Sequence, residues 1–387
     1  MDKSKEESYS KTKYHSWCKG NLAEGCALCV KGKKMVLFIT GLCGQRCFYC
    51  PVSEDKFSKD VIFANEWEIK NPEDPKEMIE ECRLTEASGC GITGGDPLVK
   101  LQRTCDYIKL LKKEFGKSFH IHLYTPMNLV DEKSLKALYD AGLDEIRFHP
   151  NLDKSKDWNK IDLARQFKWK IGVEIPSVPG YEEKTKKLMD YLDGRISFLN
   201  LNELEFSDTN ASHYTLDKMN FKQRDSVSYG VKGSQELALK LMNYGKNKKY
   251  SIHFCTSKLK NMVQMGNRLK IRAKNSALSF DKVTKDGFLY RGAAYLKGFE
   301  PGFNHQNRLN ARKKEDIIKL GEIAKGLIKS NIIKEKDIFI DAPRMRLLLS
   351  AEKTESLAPT LKKRDLLPAI VKEYPTSDYF TLELEFI

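Results

Sequence analysis

The chain has no apolar run of eighteen or more residues, which excludes a membrane-spanning helix. Its opening stretch, MDKSKEESYSKTKYHS, has no apolar signal region, so a loosely draped start and a cytoplasmic location are expected. Internal repeats and low-complexity blocks are also missing. Acidic residues are in the minority, 53 against 67 Lys and Arg, for a formal charge of +14. That balance favours a polyanionic partner such as RNA. The lysines are spread over the whole chain, however, and a generally lysine-rich composition explains the charge equally well. Disulfides are not expected, because ten cysteines in a reducing compartment mean metal or redox chemistry more often than cross-links.

What is present is a chain of 387 residues, 41% hydrophobic, long enough for one large domain or two ordinary ones. Six short apolar runs read as strands: Val36–Thr40, Cys90–Thr93, Phe119–Tyr124, Glu145–His149, Ile171–Ile175 and Ile196–Leu201. Between them lie segments with apolar residues at three- and four-residue spacing. One is VDEKSLKALYDAG, which Asp131 can open as an N-cap and Gly142 can close. Strand–helix alternation implies right-handed βαβ units and a parallel sheet. Six units are too few for a closed eight-stranded barrel, so the expectation is an α/β fold with a partial (β/α)6 barrel. The rhythm changes near residue 233. The expected organisation is an N-terminal cysteine-rich segment over 1–34, the barrel over 35–232, and a smaller α+β region over 233–387.

The first strand runs into GLCGQRCFYCP, with Cys43, Cys47 and Cys50 on one short loop. Three thiolates at C-x3-C-x2-C can hold three corners of an iron–sulfur cube and leave the fourth open. A zinc ribbon would use paired C-x2-C knuckles instead. The loop follows a strand end, where parallel α/β folds gather their chemistry. The second strand ends in Gly94-Gly95-Asp96, where glycines let backbone approach a ligand closely.

This pattern resembles the radical S-adenosylmethionine (SAM) superfamily. The resemblance implies a partial (β/α)6 barrel and a [4Fe–4S] cluster on Cys43, Cys47 and Cys50. SAM would fill the open position and be cleaved reductively, giving a 5′-deoxyadenosyl radical that takes hydrogen from a substrate. Tyr49 holds the family's aromatic slot. Gly94, Gly95 and Asp96 match its GGE-type motif, whose backbone meets the SAM amino group, with Asp in place of Glu. Tyr124 and Thr125 end the third strand, where polar contacts to SAM are frequent. Glu174 precedes a Pro-Gly turn like the family's loop near the adenine. Arg147, His149, Asn200, Asn202 and Glu203 are weaker candidates. His120 and His122 read as structural. The family also implies a reductant such as ferredoxin or flavodoxin.

A second cysteine group precedes the barrel: Cys18, Cys26 and Cys29. Three thiols in a polar stretch are not packed core, and a metal site is expected, with Cys255 as the fourth ligand and His15 or His253 as substitutes. Zinc fits a closed tetrahedral site, and an auxiliary iron–sulfur cluster fits as well. Cys82, Cys90 and Cys105 read as inert buried thiols.

The stretch 258–275 can form a basic helix able to meet RNA phosphates, or an ordinary solvated face. Aromatics near Phe288 and in EYPTSDYF could stack bases or pack in strands. The chain resembles an archaeal-type group related to pyruvate formate-lyase activating enzyme. Three functions follow: a radical SAM enzyme acting on RNA, one acting on protein like a glycyl radical activase, or a non-catalytic iron–sulfur binding protein.

Overall fold

A computed structural model describes residues 9–210, 214–226 and 228–387. Part of the loosely draped start expected from the sequence, residues 1–8, lies outside them. The chain forms two compact units, Met1–Arg268 and Leu269–Ile387.

The first unit is built on one open sheet. Its strands are β1 (Ser10–Lys11), β2 (Trp17–Lys19), β3 (Lys34–Phe38), β4 (Phe63–Ala64), β5 (Trp67–Glu68), β6 (Gly89–Thr93), β7 (His120–Thr125), β8 (Glu145–Phe148), β9 (Lys170–Ser177), β10 (Phe198–Glu203) and β11 (Ser251–Cys255). They lie in the order β1-β2-β11-β10-β9-β8-β7-β6-β3-β4-β5. From β3 through β6–β11 the pairing is parallel throughout. All six strands expected from the sequence are there. β11 extends the row as a seventh, pairing Asn200 with His253. Residues 233–268, expected to start the C-terminal region, therefore belong to the barrel unit.

The connecting helices are α1 (Glu24–Val30), α2 (Lys76–Leu84), α3 (Leu101–Phe115), α4 (Glu132–Ala141), α5 (Lys160–Ala164), α6 (Glu182–Leu192) and α7 (Ser234–Tyr244). α4 starts and stops as its sequence dictates. Asp131 accepts from the Ser134 amide, Ser134 Oγ accepts from the Asp131 amide, and Gly142 closes the helix at φ 103°.

Alternation along each strand separates two environments. Leu37, Ile92, Leu123, Ile146, Val173, Leu199 and Ile252 face outwards into one apolar core, each contributing about 1.5–3 kcal/mol. The opposite residues, among them His122, Arg147, Glu174, Asn200 and His253, face the barrel lumen and are buried or half-buried. α1 packs against this polar lumen. A side chain at Gly25 would come within 2.5 Å of His122 Nδ1 and 2.7 Å of Arg147 Nη2, so only glycine fits there.

The second unit is α+β, as expected. Its strands β12 (Lys282–Val283), β13 (Leu289–Leu296), β14 (Phe339–Asp341), β15 (Arg346–Leu349), β16 (Leu366–Glu373) and β17 (Thr381–Phe386) pair antiparallel in the order β14-β15-β13-β16-β17, with β12 on β13. α8 (Gly266–Ser276) leads into it; α9 (His305–Asn310), α10 (Lys314–Lys329) and α11 (Ala351–Lys362) complete it. Arg291 and Arg346 share the buried Glu373 carboxylate. Tyr295 is buried in β13, and Phe288 packs on Tyr374, so these aromatics serve as strand packing.

Candidate active site

The cysteine loop leaves β3 and is fastened on both sides. Gly41 exchanges backbone hydrogen bonds with Lys59 and Ser58. On the other side the Gly95 amide donates to Thr40 O at 2.8 Å and the Asp96 amide to Leu42 O at 2.9 Å. The two glycines are steric requirements. A Cβ at Gly95 would lie 2.3 Å from Leu42 O, and Gly94 holds φ +148° against Thr40. The GGD stretch is thus continued strand pairing that holds the cysteine loop in place.

Cys43, Cys47 and Cys50 are half-buried and line one cavity of about 430 Å³. Burial raises the pKa of all three thiols, and Cys47, next to Cys50 and Cys43, is pushed up to about 12. Left alone they are neutral; iron would displace their protons. The donor set fits an iron–sulfur cluster: three soft sulfurs on one short loop, facing a cavity with room beyond them.

Tyr49, Gly94, Gly95, Tyr124, Thr125 and Glu174 line the same cavity. Asp96 does not. Its Oδ1 accepts from the Leu98 amide and from Thr125 Oγ1, capping the turn that follows. One oxygen of the carboxylate thus serves the scaffold, because a helical turn starts immediately after it and leaves amides to satisfy, while Oδ2 is buried with no hydrogen-bond partner among the described residues.

Glu174 forms the charged floor. It accepts from Arg147 Nη1 at 2.9 Å, Asn200 Nδ2 at 2.8 Å and Asn202 Nδ2 at 3.0 Å. Burial alone would raise its pKa, but Arg147 and the two amides outweigh burial and hold it at about 2. Arg147 also binds Tyr124 Oη and Glu145. Above the floor, Tyr49 and His149 meet through Oη and Nε2, while His149 Nδ1 faces the Glu174 carbonyl. A carbonyl only accepts, so Nδ1 carries the proton and Nε2 takes the tyrosine O–H. Burial lowers the His149 pKa, which keeps this neutral tautomer in place.

Lys34 lines the cavity too, and sequence reasoning missed it. Burial disfavours its ammonium, but the neighbouring Cys29 thiol and Tyr124 raise its pKa overall. A second cavity of about 440 Å³ shares Tyr49, Pro51, His149 and Asn202 with the first and adds Glu203, Glu205, Asp208, Tyr229 and Lys260.

Cys18, Cys26, Cys29 and Cys255 all lie around α1, β2 and β11. Zinc or an auxiliary cluster is the expectation for them; among the described residues no three His, Cys, Asp or Glu side chains are grouped to hold a single metal ion, at these cysteines or at Cys43, Cys47 and Cys50. His15 contributes its carbonyl to Thr256 Oγ1. His120 and His122 are buried near each other; Glu145 Oε2 lies 3.7 Å from His120 Nε2, and His122 Nε2 lies 3.4 Å from Lys34 Nζ. Cys82, Cys90 and Cys105 are buried in the apolar core. The basic segment 258–275 is partly neutralised at home, by Lys260 with Glu205 and Arg268 with Glu66.

Comparison with known proteins adds the following. The sequence profile of the Radical SAM superfamily matches residues 37–157. A protein of Methanocaldococcus jannaschii, provisionally named as a glycyl-radical enzyme activating enzyme, is 42% identical over 320 residues, 80% of this chain and 81% of its own. Among solved structures, methylornithine synthase is similar over 56% of this chain and 63% of its own at 12% identity and a TM-score of 0.38. The radical SAM methyltransferase TsrM from Kitasatospora setae is similar over 49% of this chain and 40% of its own, at 12% identity and a TM-score of 0.33.

Proposed function

The chain belongs to the radical SAM superfamily, and from that premise we propose that it is an activase, which places a radical on a glycine of a partner protein. The observation that carries this reading is the 42% identity to a relative with that name across four-fifths of both chains. The RNA reading rested on charge, and no comparison supports it.

Cys43, Cys47 and Cys50 would hold three irons of the [4Fe–4S] cluster and leave the fourth to SAM. Bound there, cluster and cofactor supply a 5′-deoxyadenosyl radical on reduction by a small electron carrier. The residues of the chain bind, orient and exclude water. Gly94 and Gly95 offer backbone without side-chain bulk. The Glu174 carboxylate, ionised at any physiological pH, accepts from hydroxyl or ammonium groups of SAM. The Tyr49 ring, fixed through His149, lines both this cavity and the neighbouring one. The neighbouring cavity, sharing that ring, would admit the glycine-bearing segment.

Anaerobic enzyme, dithionite and SAM would be mixed with glycyl-loop peptides deuterated at the glycine α-carbon. Deuterium appearing in 5′-deoxyadenosine, and absent for a Cys43→Ala, Cys47→Ala, Cys50→Ala variant, is the expected result. Deoxyadenosine that never gains deuterium from any such peptide, or from a whole glycyl-radical protein, would defeat the activase reading. The superfamily assignment would survive it.

A further inference from the structure

A second set of metal-binding side chains faces the lumen on the flank formed by β11 and β2, and strand register places it there. Asn200 and Asn202 of β10 reach inwards to Glu174. Their partners on β11 are His253 and Cys255, so those two face the lumen as well. Cys18 on β2 is the antiparallel partner of His253 and points the same way. α1 brings Cys26 to this face, where Asn200 Nδ2 donates to its Sγ at 3.2 Å.

Two features indicate that something belongs among them. His253 is 3% exposed, and neither of its ring nitrogens has a hydrogen-bond partner. A buried imidazole normally holds at least one, and one free nitrogen is what a metal needs. Cys26 already accepts an amide N–H, the contact that tunes sulfur in iron–sulfur sites.

Three thiols and an imidazole suit zinc or an iron–sulfur cluster. A tetrahedral zinc site holds its sulfurs about 3.8 Å apart, and among the described residues no three donors are grouped for one ion. That holds equally for Cys43, Cys47 and Cys50, the set that takes a cluster in this superfamily. Ligands on the corners of a cluster stand further apart than ligands on one ion. We propose that Cys18, Cys26, Cys255 and His253 hold an auxiliary iron–sulfur cluster, distinct from the one on the Cys43 loop.

The test is a count of iron, acid-labile sulfide and zinc in anaerobically reconstituted full-length protein. With Cys43→Ala, Cys47→Ala and Cys50→Ala in place, about two or four irons per chain with matching sulfide should remain. Adding Cys18→Ser or His253→Ala should remove them. His253→Cys, which restores a donor, should keep them, and so should Cys105→Ser in the apolar core. Should the triple variant not fold, the wild type gives the same answer by carrying about six or eight irons instead of four. A wild type with about four irons, iron that survives Cys18→Ser, or one zinc per chain in place of the cluster would each overturn the proposal.

Discussion

Tyr49 Oη lies 2.9 Å from His149 Nε2, joining the cysteine loop to the end of the fourth parallel strand. The bond, together with packing on Phe48, fixes the ring at the cavity wall. His149→Ala should therefore weaken SAM binding by up to about tenfold, the worth of one neutral hydrogen bond. Equilibrium binding to the cluster-loaded enzyme measures it. An unchanged dissociation constant would mean that the Tyr49 ring is placed by packing with Phe48 alone.

Asp96 as a cap predicts a different pattern from Asp96 as a cofactor contact. Asp96→Ala should cost about 0.5–2 kcal/mol of folding stability and leave SAM affinity within a factor of about two. Asp96→Asn, which still accepts from Leu98, should recover most of the stability. Denaturant titration and SAM binding on the two variants separate the roles. A large affinity loss in both, with normal stability, contradicts the cap.

Gly95→Ala forces a methyl group against Leu42 O, 2.3 Å away. Backbone cannot yield as a flexible side chain does, so the cysteine loop must move. The expected outcome is a protein that folds but takes up less than half the iron of the wild type at the Cys43 loop, read by iron and sulfide analysis. Full loading would show that the loop is held from its Lys59 side.

Glu174 links stability to acid. Its folded pKa, about 2, lies below the ordinary 4.5, so its contribution is complete above about pH 4.5 and drains away as pH falls towards 2. Glu174→Gln leaves the buried Arg147 short of a partner and should cost about 3–5 kcal/mol near neutral pH. That deficit should shrink as the wild type is acidified below about pH 4.5. Urea unfolding of both proteins at a neutral and an acidic pH checks it; a deficit that stays constant would mean that Glu174 is not held ionised by Arg147.

The six first strands were legible because each is a short apolar run bounded by helical periodicity. The residues of β11 fell in the region expected to be C-terminal, since the irregular stretch after Glu203 breaks the rhythm that marked the other strands. Cys43, Cys47 and Cys50 stood out by their spacing, and Tyr49 by its match to the family's aromatic slot. Lys34 did not. In VKGKKMVLF it looks like one more solvated lysine, and only the register with Gly89 turns it into the lumen. That Asp96 also caps a turn was not legible for a related reason. A motif fixes which residue types stand together, but the direction of a side chain depends on which neighbouring amides lack a partner.

The pairing of β2 with β11 has a consequence for how the protein is made. Trp17–Lys19 leaves the ribosome early, and its hydrogen-bonding partner Ile252–Phe254 is translated only after nearly all of the parallel sheet. α1 must also wait for the strands whose lumen it closes. A segment synthesised before the sheet is thus among the last to dock, and the barrel stays open along that flank until it does.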